Sequence, residues 1–315
     1  MKAKIKSAYL APEGFQDRLV KELEGVQSCH GRLILTDRQP TKQPFWAQNS
    51  WRNPLLIPIK SISDASKKLQ ALQRNWSLYS FQLHRRAQLI QQQLPHVSAK
   101  PLNFPAPLPQ SLLGSWTLLD RDTLLAASDC SSLFANGEMH FVEDKENPPN
   151  RAYLKLWEAL TVVQQHPRSG QFCIDAGASP GGWTWVLAKL GAEVLSIDRS
   201  PLDGRVLAMP GVRFQKRDAF SLRPEELQES RKKTDWLFSD LVCYPEKLFD
   251  WVMMWVESGA CDNFLCTIKF QGGGDTHMAQ KFADIPNSRV LHLFHNKHEL
   301  TWIKLKSWET LPIQS

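Results

Sequence analysis

The 315-residue chain lacks an apolar run long enough to span a bilayer, for which about 20 residues are needed. Its opening residues, M-K-A-K-I-K, are not followed by the apolar core of a signal peptide. The six cysteines form no C-x-x-C pair, which argues against a disulfide framework or a zinc site. We therefore expect a cytoplasmic protein with reduced thiols, no metal and no membrane partner.

Acidic residues are scarce in the first part of the chain. Residues 1–100 hold 6 Asp and Glu against 16 Lys and Arg, a net charge of +10. Residues 101–315 hold 26 against 22, a net charge of −4. A basic N-terminal part joined to a mildly acidic C-terminal part favours a polyanionic partner that is bound by the former. The alternative is that the asymmetry serves only solubility.

A proline-rich segment, Lys100–Gln110, is unsuited to helix or central strand, and we expect it to be an extended connector. Short strand-like runs and helical patterns precede it, and a strand is predicted around Met139–Val142 beyond it. The turn-forming stretch Asn147–Asn150 then marks a domain boundary. The predicted division is an N-terminal domain at 1–147, connector included, and a C-terminal domain at 148–315.

From residue 151 onwards, predicted helices alternate with short apolar strands. The strands are predicted at Phe172–Asp175, Glu193–Asp198, Val212–Lys216, Trp236–Ser239, Phe264–Lys269, Val290–Phe294 and Leu300–Leu305. This alternation predicts an α/β fold with a doubly wound, mostly parallel sheet. The last two strands are joined by too few residues for a crossover helix, so one of them must run antiparallel. A parallel sheet with one antiparallel strand is typical of Rossmann-like methyltransferases.

The chain also lacks the G-x-G-x-x-G and Walker sequences that bind nucleotide phosphates. In their place, D-A-G-A-S-P-G-G-W-T at 175–184 joins a strand to a helix, with a serine where a pyrophosphate would require glycine. Such turns bring backbone N–H groups close to a ligand. The turn residues expected to bind this ligand are Gly177, Ser179, Pro180, Gly181, Gly182 and Trp183.

Four carboxylates end or follow predicted strands, namely Asp175, Asp198, Asp218 and Asp240. The carboxyl ends of parallel strands meet at one edge of a sheet, so these acids would repel one another without a ligand that uses them. A cationic cofactor suits this rim, and we expect Asp198, Asp218 and Asp240 to contact it, with Asp198 accepting hydrogen bonds from ribose hydroxyls. NAD, which also fits the spacing of Asp198, and a structural turn whose acids cap helices remain alternatives.

Five segments resemble, in order, the motifs of the FtsJ-like RNA 2′-O-methyltransferases. They are R-A-Y-L-K-L at 151–156, the glycine turn at 175–184, D-W-L-F-S-D at 235–240, T-I-K-F-Q at 267–271 and E-L-T-W at 299–302. The resemblance covers about half of the chain, at its C-terminal end. It implies S-adenosylmethionine as cofactor and a catalytic set formed by Lys155, Asp240, Lys269 and Glu299.

The segment Tyr9–Phe15 resembles the opening of one branch of that family, the large-subunit ribosomal RNA methyltransferases M. This resemblance implies a smaller α+β domain of THUMP type that binds RNA, and large-subunit (23S-type) ribosomal RNA as substrate. The chain departs from the branch after Asp240, where L-V-C-Y-P at 241–245 replaces Met-Ala-Pro. The loop at 271–274 is closer to the stand-alone FtsJ type.

The resemblance implies that Lys269 is the base that removes the proton of a ribose 2′-hydroxyl. A lysine can serve as base only if its pKa falls toward neutrality, through burial or a like charge nearby. Lys155 would supply that like charge, while Asp240 and Glu299 would orient the two ammonium groups. Taken singly, the residues have ordinary alternatives, such as an exposed helix lysine for Lys155 and a hairpin cap for Glu299.

Histidines and tryptophans supply further candidate binding residues. The histidines of an H-x-x-H-x-x-H pattern, His292, His295 and His298, would alternate between the faces of a strand and could not converge on one metal. Three tryptophans of the basic part are candidates for stacking on bases: Trp46, Trp51 and Trp76.

Two rival functions stay open at this point. One is a non-catalytic RNA-binding ribosome-assembly factor that keeps the fold. The other is an NAD-linked oxidoreductase, which the glycine turn disfavours.

Overall fold

The computed structural model describes residues 5–39, 42–228, 233–270 and 276–308. Their contacts divide them into two compact units. One unit comprises the residues up to 102 together with 107–140, and the other comprises 103–106 and the residues from 141 onwards. Within the described ranges, no helix is both long and apolar enough to cross a membrane.

The N-terminal unit is α+β. Its described strands are β1 (Ser7–Leu10), β2 (Val26–His30), β3 (Leu33–Thr36), β4 (Asn49–Arg52), β5 (Leu55–Pro58), β6 (Trp76–Leu78), β7 (Gly114–Leu118), β8 (Thr123–Ala127) and β9 (Asp129–Cys130). Its described helices are α1 (Gln16–Glu22), α2 (Ile62–Leu72) and α3 (His84–Gln91). One sheet has the order β2-β3-β1-β4-β9 and a second has the order β5-β8-β7-β6. The assignment of this unit to the THUMP type stays a prediction.

Tryptophans form much of the core of the N-terminal unit. Trp51 is 0% exposed, Trp76 is 1% exposed and Trp46 is 3% exposed. The indole Nε1 of Trp76 donates to the carbonyl of Leu69 at 2.9 Å, and Trp46 stacks on Phe15 with ring centroids 5.2 Å apart. The expectation that these tryptophans stack on RNA bases is therefore wrong, because their rings are covered by protein.

The C-terminal unit contains the α/β sheet. Its described strands are β10 (Phe172–Ala176), β11 (Glu193–Asp198), β12 (Val212–Lys216), β13 (Thr234–Ser239), β14 (Cys261–Lys269), β15 (Ser288–Leu291) and β16 (Glu299–Lys304). Its described helices are α4 (Tyr153–Val163), α5 (Gly182–Lys189), α6 (Gly204–Leu207), α7 (Pro224–Gln228), α8 (Pro245–Ser258) and α9 (Thr276–Ala283). The strand order is β12-β11-β10-β13-β14-β16-β15. The strands from β10 to β14 pair in parallel, whereas β16 runs antiparallel to both of its neighbours. The predicted fold, including its antiparallel strand, is confirmed.

Local sequence explains several of these elements. Every residue of β10 is buried, as expected of a central parallel strand with both faces covered. Helix α8 begins at Pro245, whose fixed φ suits a first helical turn, and its C-cap is Gly259 with a φ of +66°. The glycine-rich loop predicted at 272–274 lies outside the described residues.

The predicted strand around Met139–Val142 is wrong. Within it only Phe141 makes an isolated bridge. The ring of Phe141 lies 5.6 Å from that of Trp157, so the apolar pattern serves packing against α4. The hydroxyl of Tyr153 likewise donates to the carbonyl of Asp144 at 3.0 Å. These contacts explain why the division of units falls after residue 140, whereas the sequence suggested 148. The roles assigned to the two domains stay predictions.

The proline-rich connector, Lys100–Gln110, contains no helix and no strand, as predicted. Part of it is nevertheless packed within the C-terminal unit. Phe104 stacks on Trp157 with ring centroids 5.1 Å apart, and the carbonyl of Ala106 accepts a hydrogen bond from the side chain of Gln164 at 3.1 Å. Residues 103–106 are thus anchored to α4 rather than loose.

Candidate active site

The candidate site lies at the edge of the seven-stranded sheet where the parallel strands end. Asp175 lies near the end of β10, Asp198 ends β11 and Asp240 follows β13 directly. Lys269 is the last residue of β14, and Glu299 is the first residue of β16. Because β16 is antiparallel, it begins where β14 ends, and Glu299 is paired with Lys269 in the register. The antiparallel strand therefore brings Glu299 to the edge that carries the aspartates.

The glycine turn between β10 and α5 packs closely against its neighbours. Gly177 has a φ of +82°, and a Cβ at this position would lie 2.8 Å from the side chain of Leu241. The N–H of Gly177 donates to the carbonyl of Ile197 at 2.8 Å. A Cβ on Gly182 would collide with the side-chain oxygen of Asn150. The positive φ and the contact with Leu241 therefore favour glycine at 177, and the side chain of Asn150 limits the space at 182.

Polar groups near this turn suit a ligand with hydroxyl groups and a positive charge. Asp198 accepts hydrogen bonds from the N–H of Ser179 at 3.1 Å and from the N–H of Ser200 at 2.8 Å. A carboxylate offers about four lone-pair positions, so Asp198 keeps acceptor capacity for further donors. The hydroxyl of Ser239, at the end of β13, is buried without a hydrogen-bond partner in the described part of the chain.

Asp218 is engaged by its own surroundings. Its carboxylate accepts hydrogen bonds from the guanidinium group of Arg199 and, at 3.1 Å, from the N–H of Phe220. Burial by itself would raise the pKa of Asp218, but Arg199 and the Phe220 N–H outweigh it and lower the pKa. Asp218 is therefore ionised at neutral pH, and its contact with a cofactor stays a prediction.

The observed contacts of Trp183 are with other residues of the protein core. Its side chain is buried, and its indole Nε1 donates to the carbonyl of Ala152 at 2.9 Å. Its ring meets that of Phe238 edge-on, with centroids 6.4 Å apart. Pro180 precedes Gly181, which has a φ of +117° and serves as N-cap of α5. Direct cofactor contacts of these turn residues stay predictions.

Asp175 is fully buried at the end of β10. Its Oδ2 accepts a hydrogen bond from the hydroxyl of Thr184 at 2.6 Å, and that hydroxyl also lies 2.8 Å from Ser196 Oγ. Burial raises the pKa of Asp175 to about 7 against the opposing Thr184 hydrogen bond, and the negative charge of Asp240 adds to the rise. This carboxyl group ties β10 to α5 from the inside.

Asp240 joins the two lysines that the sequence singled out. Lys155 Nζ donates to Asp240 Oδ2 at 2.8 Å and to Glu299 Oε1 at 3.2 Å. Lys269 Nζ lies 3.0 Å from Asp240 Oδ1 and donates to the backbone carbonyl of Asp240 at 2.7 Å. The structure thus brings together the four residues predicted as catalytic, while their catalytic role stays a prediction.

The four side chains balance one another, with two positive and two negative charges. Burial by itself would lower the pKa of Lys155, but Asp240 and Glu299 outweigh it and raise the pKa. Burial would raise the pKa of Asp240, but Lys155 and Lys269 hold it below its usual value. Sequence reasoning gave Lys155 the role of a like charge beside Lys269. In the structure, Asp240 and Glu299 compensate that charge.

Sequence reasoning missed two polar residues of the site. The hydroxyl of Thr267 donates to Asp240 Oδ1 at 2.6 Å. Thr267 precedes Lys269 by two residues on a strand, so both lie on the same face of β14, and this spacing could have identified it. Asn150 Oδ1 accepts from the N–H of Ala152 at 3.1 Å beside the glycine turn. An asparagine after two prolines is an ordinary turn signal, so nothing in the sequence marked it.

The three histidines do not converge. The strand predicted at Val290–Phe294 ends at Leu291, so they lie in the connection between β15 and β16. His292 Nε2 lies 3.2 Å from the carbonyl of Lys297, and His295 Nδ1 lies 2.7 Å from Glu158. Within the described ranges, no three His, Cys, Asp or Glu side chains are grouped so that they could hold a metal ion.

The sheet order, the antiparallel β16 and the carboxylate-lined glycine turn define a Rossmann-like methyltransferase fold. Residues 148–257 match the family of FtsJ-like methyltransferases. The resemblance of this part of the chain to the FtsJ-like family is therefore confirmed.

The curated relatives of this chain include ribosomal RNA methyltransferases. "Ribosomal RNA large subunit methyltransferase M" of Thauera aminoaromatica is 29% identical over 171 residues, which cover 49% of this chain and 45% of that protein. The protein of the same name from Alkalilimnicola ehrlichii is 32% identical over 172 residues, which cover 49% of this chain and 44% of that protein. The chain thus spans less than half the length of these relatives, and its resemblance to the M branch is confirmed over that part.

Among solved structures, a ribosomal RNA methyltransferase from Plasmodium falciparum aligns with a TM-score of 0.40 at 16% identity, covering 50% of this chain and 97% of that chain.

Proposed function

We propose that the protein is an S-adenosylmethionine-dependent methyltransferase that methylates the 2′-hydroxyl of a ribose in RNA, with large-subunit (23S-type) ribosomal RNA as substrate. The observation that carries this proposal is that Asp240 holds both Lys155 and Lys269 at the carboxyl edge of a methyltransferase sheet. The names of the curated relatives support ribosomal RNA as the substrate class.

The glycine turn and its carboxylates are the proposed cofactor site. The backbone of the turn at 177–182 would contact the amino-acid part, and Asp198 would accept hydrogen bonds from the ribose hydroxyls. When bound, S-adenosylmethionine would supply an electrophilic methyl group on a positively charged sulfonium. Asp218 and the hydroxyl of Ser239 are further polar groups at this edge.

Lys269 is the proposed base for the 2′-hydroxyl. An ammonium group has three N–H donors, and two contacts of Lys269 are with Asp240, so one direction remains for a substrate oxygen. Lys269 must lose its own proton before it can accept one. The rate of methyl transfer is therefore expected to rise with pH. Lys155 holds the other carboxylate oxygen of Asp240 and is itself held by Glu299, which orients Asp240.

The basic N-terminal unit is the proposed RNA-binding part. Residues 1–100 carry a net charge of +10, and the rest of the chain is mildly acidic. Lys and Arg side chains that neutralise RNA phosphates release counterions, which gives affinity without sequence preference. The site chemistry would then act on RNA that the N-terminal unit helps to bind.

The rival function is a non-catalytic RNA-binding assembly factor. Such a protein has no use for two lysines that share a largely buried carboxylate, because desolvating those charges is costly. An NAD-linked oxidoreductase is disfavoured because the turn has Ser179 where a pyrophosphate requires glycine.

The test is methyl transfer by the full chain. We expect transfer of labelled methyl groups from S-adenosylmethionine to large-subunit ribosomal RNA from cells that lack the gene. Mapping 2′-O-methyl positions should then reveal a ribose that the protein modifies and the Lys269→Ala variant does not. Methylation of a base, or RNA binding without any transfer, would contradict the proposal.

A further inference from the structure

Glu158 is a buried carboxylate that the proposed chemistry does not use. It lies on α4, three residues beyond Lys155, and is 3% exposed. Its Oε1 accepts a hydrogen bond from the N–H of Phe294 at 2.7 Å. Its Oε2 accepts from the N–H of His295 at 2.9 Å and lies 2.7 Å from His295 Nδ1. Burying a carboxylate is costly, and these three contacts offset that cost. The question is what the buried Glu158 does for the fold or for the site.

These contacts fix the connection between β15 and β16. That connection, at 292–298, ends at Glu299, the residue that accepts a hydrogen bond from Lys155. Residues three apart on a helix lie on the same face, so Lys155 and Glu158 both point toward the connection. Helix α4 therefore holds it at two places, through Glu158 at 294–295 and through Lys155 at Glu299.

The connection is also braced internally. Asn296 Nδ2 donates to the hydroxyl of Thr301 at 2.9 Å, and both side chains are buried. A braced segment transmits a displacement at 294–295 to its end at Glu299. A hydrogen bond weakens steeply with misalignment, and the contact between Lys155 and Glu299 is already 3.2 Å long.

We propose that Glu158 is a positioning residue that, by anchoring residues 294–295 to α4, sets the place where Glu299 meets Lys155. Its effect on methyl transfer rests on the proposed function, whereas its effect on the contact between Lys155 and Glu299 does not. Glu158 acts on the reaction only through Glu299.

The experiment replaces Glu158 by glutamine in the full chain. Each carboxylate oxygen accepts from one backbone N–H group, and glutamine replaces one of these oxygens by an NH2 donor, so one of the two contacts is lost. We expect kcat to fall about tenfold to a hundredfold, as for a small misplacement of a catalytic group, with KM for RNA and cofactor affinity unchanged. By NMR, the ammonium protons of Lys155 should exchange faster with water than in the wild type.

Asp235→Asn is the matched control. The carboxylate of Asp235 also anchors a backbone N–H, that of Phe172 at 2.8 Å, but at the opposite edge of the sheet. This substitution should lower the melting temperature without changing kcat or the exchange of the Lys155 protons. A purely structural Glu158 would behave in the same way, and that result would overturn the proposal.

A second background makes the test sharper. In Glu299→Ala protein, which has no side-chain acceptor for Lys155, the further change Glu158→Gln should alter neither kcat nor Lys155 exchange, because the route through Glu299 is already lost. Equal effects of Glu158→Gln in both backgrounds would overturn the proposal.

If Glu158→Gln fails to fold, His295→Ala is the alternative variant. It removes one of the three contacts of Glu158 and should change kcat and Lys155 exchange in the same direction, by a smaller amount. Absence of methyl transfer by the wild type would contradict the proposed function instead, and the exchange measurement would still decide the role of Glu158.

Discussion

The two units of the molecule use charged side chains in different ways. In the N-terminal unit, basic side chains such as Lys67 and Arg85 are exposed on the helices. In the C-terminal unit, the side chains of Lys155, Asp240 and Glu299 are only 14%, 17% and 10% exposed and contact one another. Exposed charges are screened by water and salt and contribute little to folding. Buried charges must be paired, and their positions are then defined by the fold.

This difference matches the proposed division between RNA binding and chemistry. The exposed positive charge of the first unit can attract a polyanion over a distance, with a strength that salt reduces. The paired charges of the second unit are held at fixed distances, which is what proton transfer requires. Substitutions in the two units should therefore have effects of different kind and size.

The largest expected effect is that of Lys269→Ala, which should reduce methyl transfer by about 10²–10⁴-fold through loss of the base. Cofactor affinity should be unchanged, because the lysine acts on the hydroxyl proton. Single-turnover kinetics and calorimetry measure the two quantities. Lys189→Ala, at an exposed lysine of α5, is the control. Substantial methyl transfer by the Lys269→Ala protein would exclude Lys269 as the base. It would also contradict the proposed assignment of the chemistry to this cluster of charges.

The next effect concerns stability and Asp175. Its pKa is about 7 in the folded protein, above the ordinary value, so folding disfavours its charged form. The resulting penalty is absent at pH below about 4 and grows as pH rises to about 7, reaching at most about 4 kcal/mol. Asp175→Asn should remove it. Denaturant unfolding across this range should show wild-type stability falling relative to the variant, and parallel curves would contradict the prediction.

A smaller effect is expected at the proposed cofactor site. Asp198→Ala should weaken S-adenosylmethionine binding about tenfold or more, because hydrogen bonds to a charged acceptor are lost. Calorimetry should show unchanged affinity for Asp262→Ala, a carboxylate of β14 far from the carboxyl edge. Unchanged affinity in the Asp198 variant would exclude this residue from the site. Tight binding of NAD in place of S-adenosylmethionine would exclude the cofactor.

The smallest effect tests the N-terminal unit. Arg85→Ala should reduce the slope of RNA affinity against salt by about 1, the loss of one phosphate contact. The adjacent Arg86 is half-buried, and its Nε is shielded from solvent, so Arg86→Ala should lower stability and leave the slope nearly unchanged. Binding titrations at several salt concentrations measure both. Equal slopes for wild type and Arg85→Ala would mean that this side chain does not reach RNA.

Much of the C-terminal fold was predictable because its signals are local. β11 and β12 have the bounds predicted from their apolar runs, and α5 follows the glycine turn as expected. The antiparallel β16 followed from the shortness of one connection. The strand expected around Met139–Val142 does not form, because its apolar residues pack on α4. Apolar periodicity indicates that a segment is buried, but it does not identify the element against which the segment packs.

By itself, the sequence determined the alternation of helices and strands, the glycine turn and the residue types of the proposed catalytic set. Only the tertiary structure decided how that set is connected. Lys155 and Glu299 are 144 residues apart and meet because an antiparallel strand starts at the edge where parallel strands end. The hydrogen bonds of Glu158 and the burial of Trp51 were decided in the same way. Charge compensation and burial depend on contacts between distant segments, and no local pattern records them.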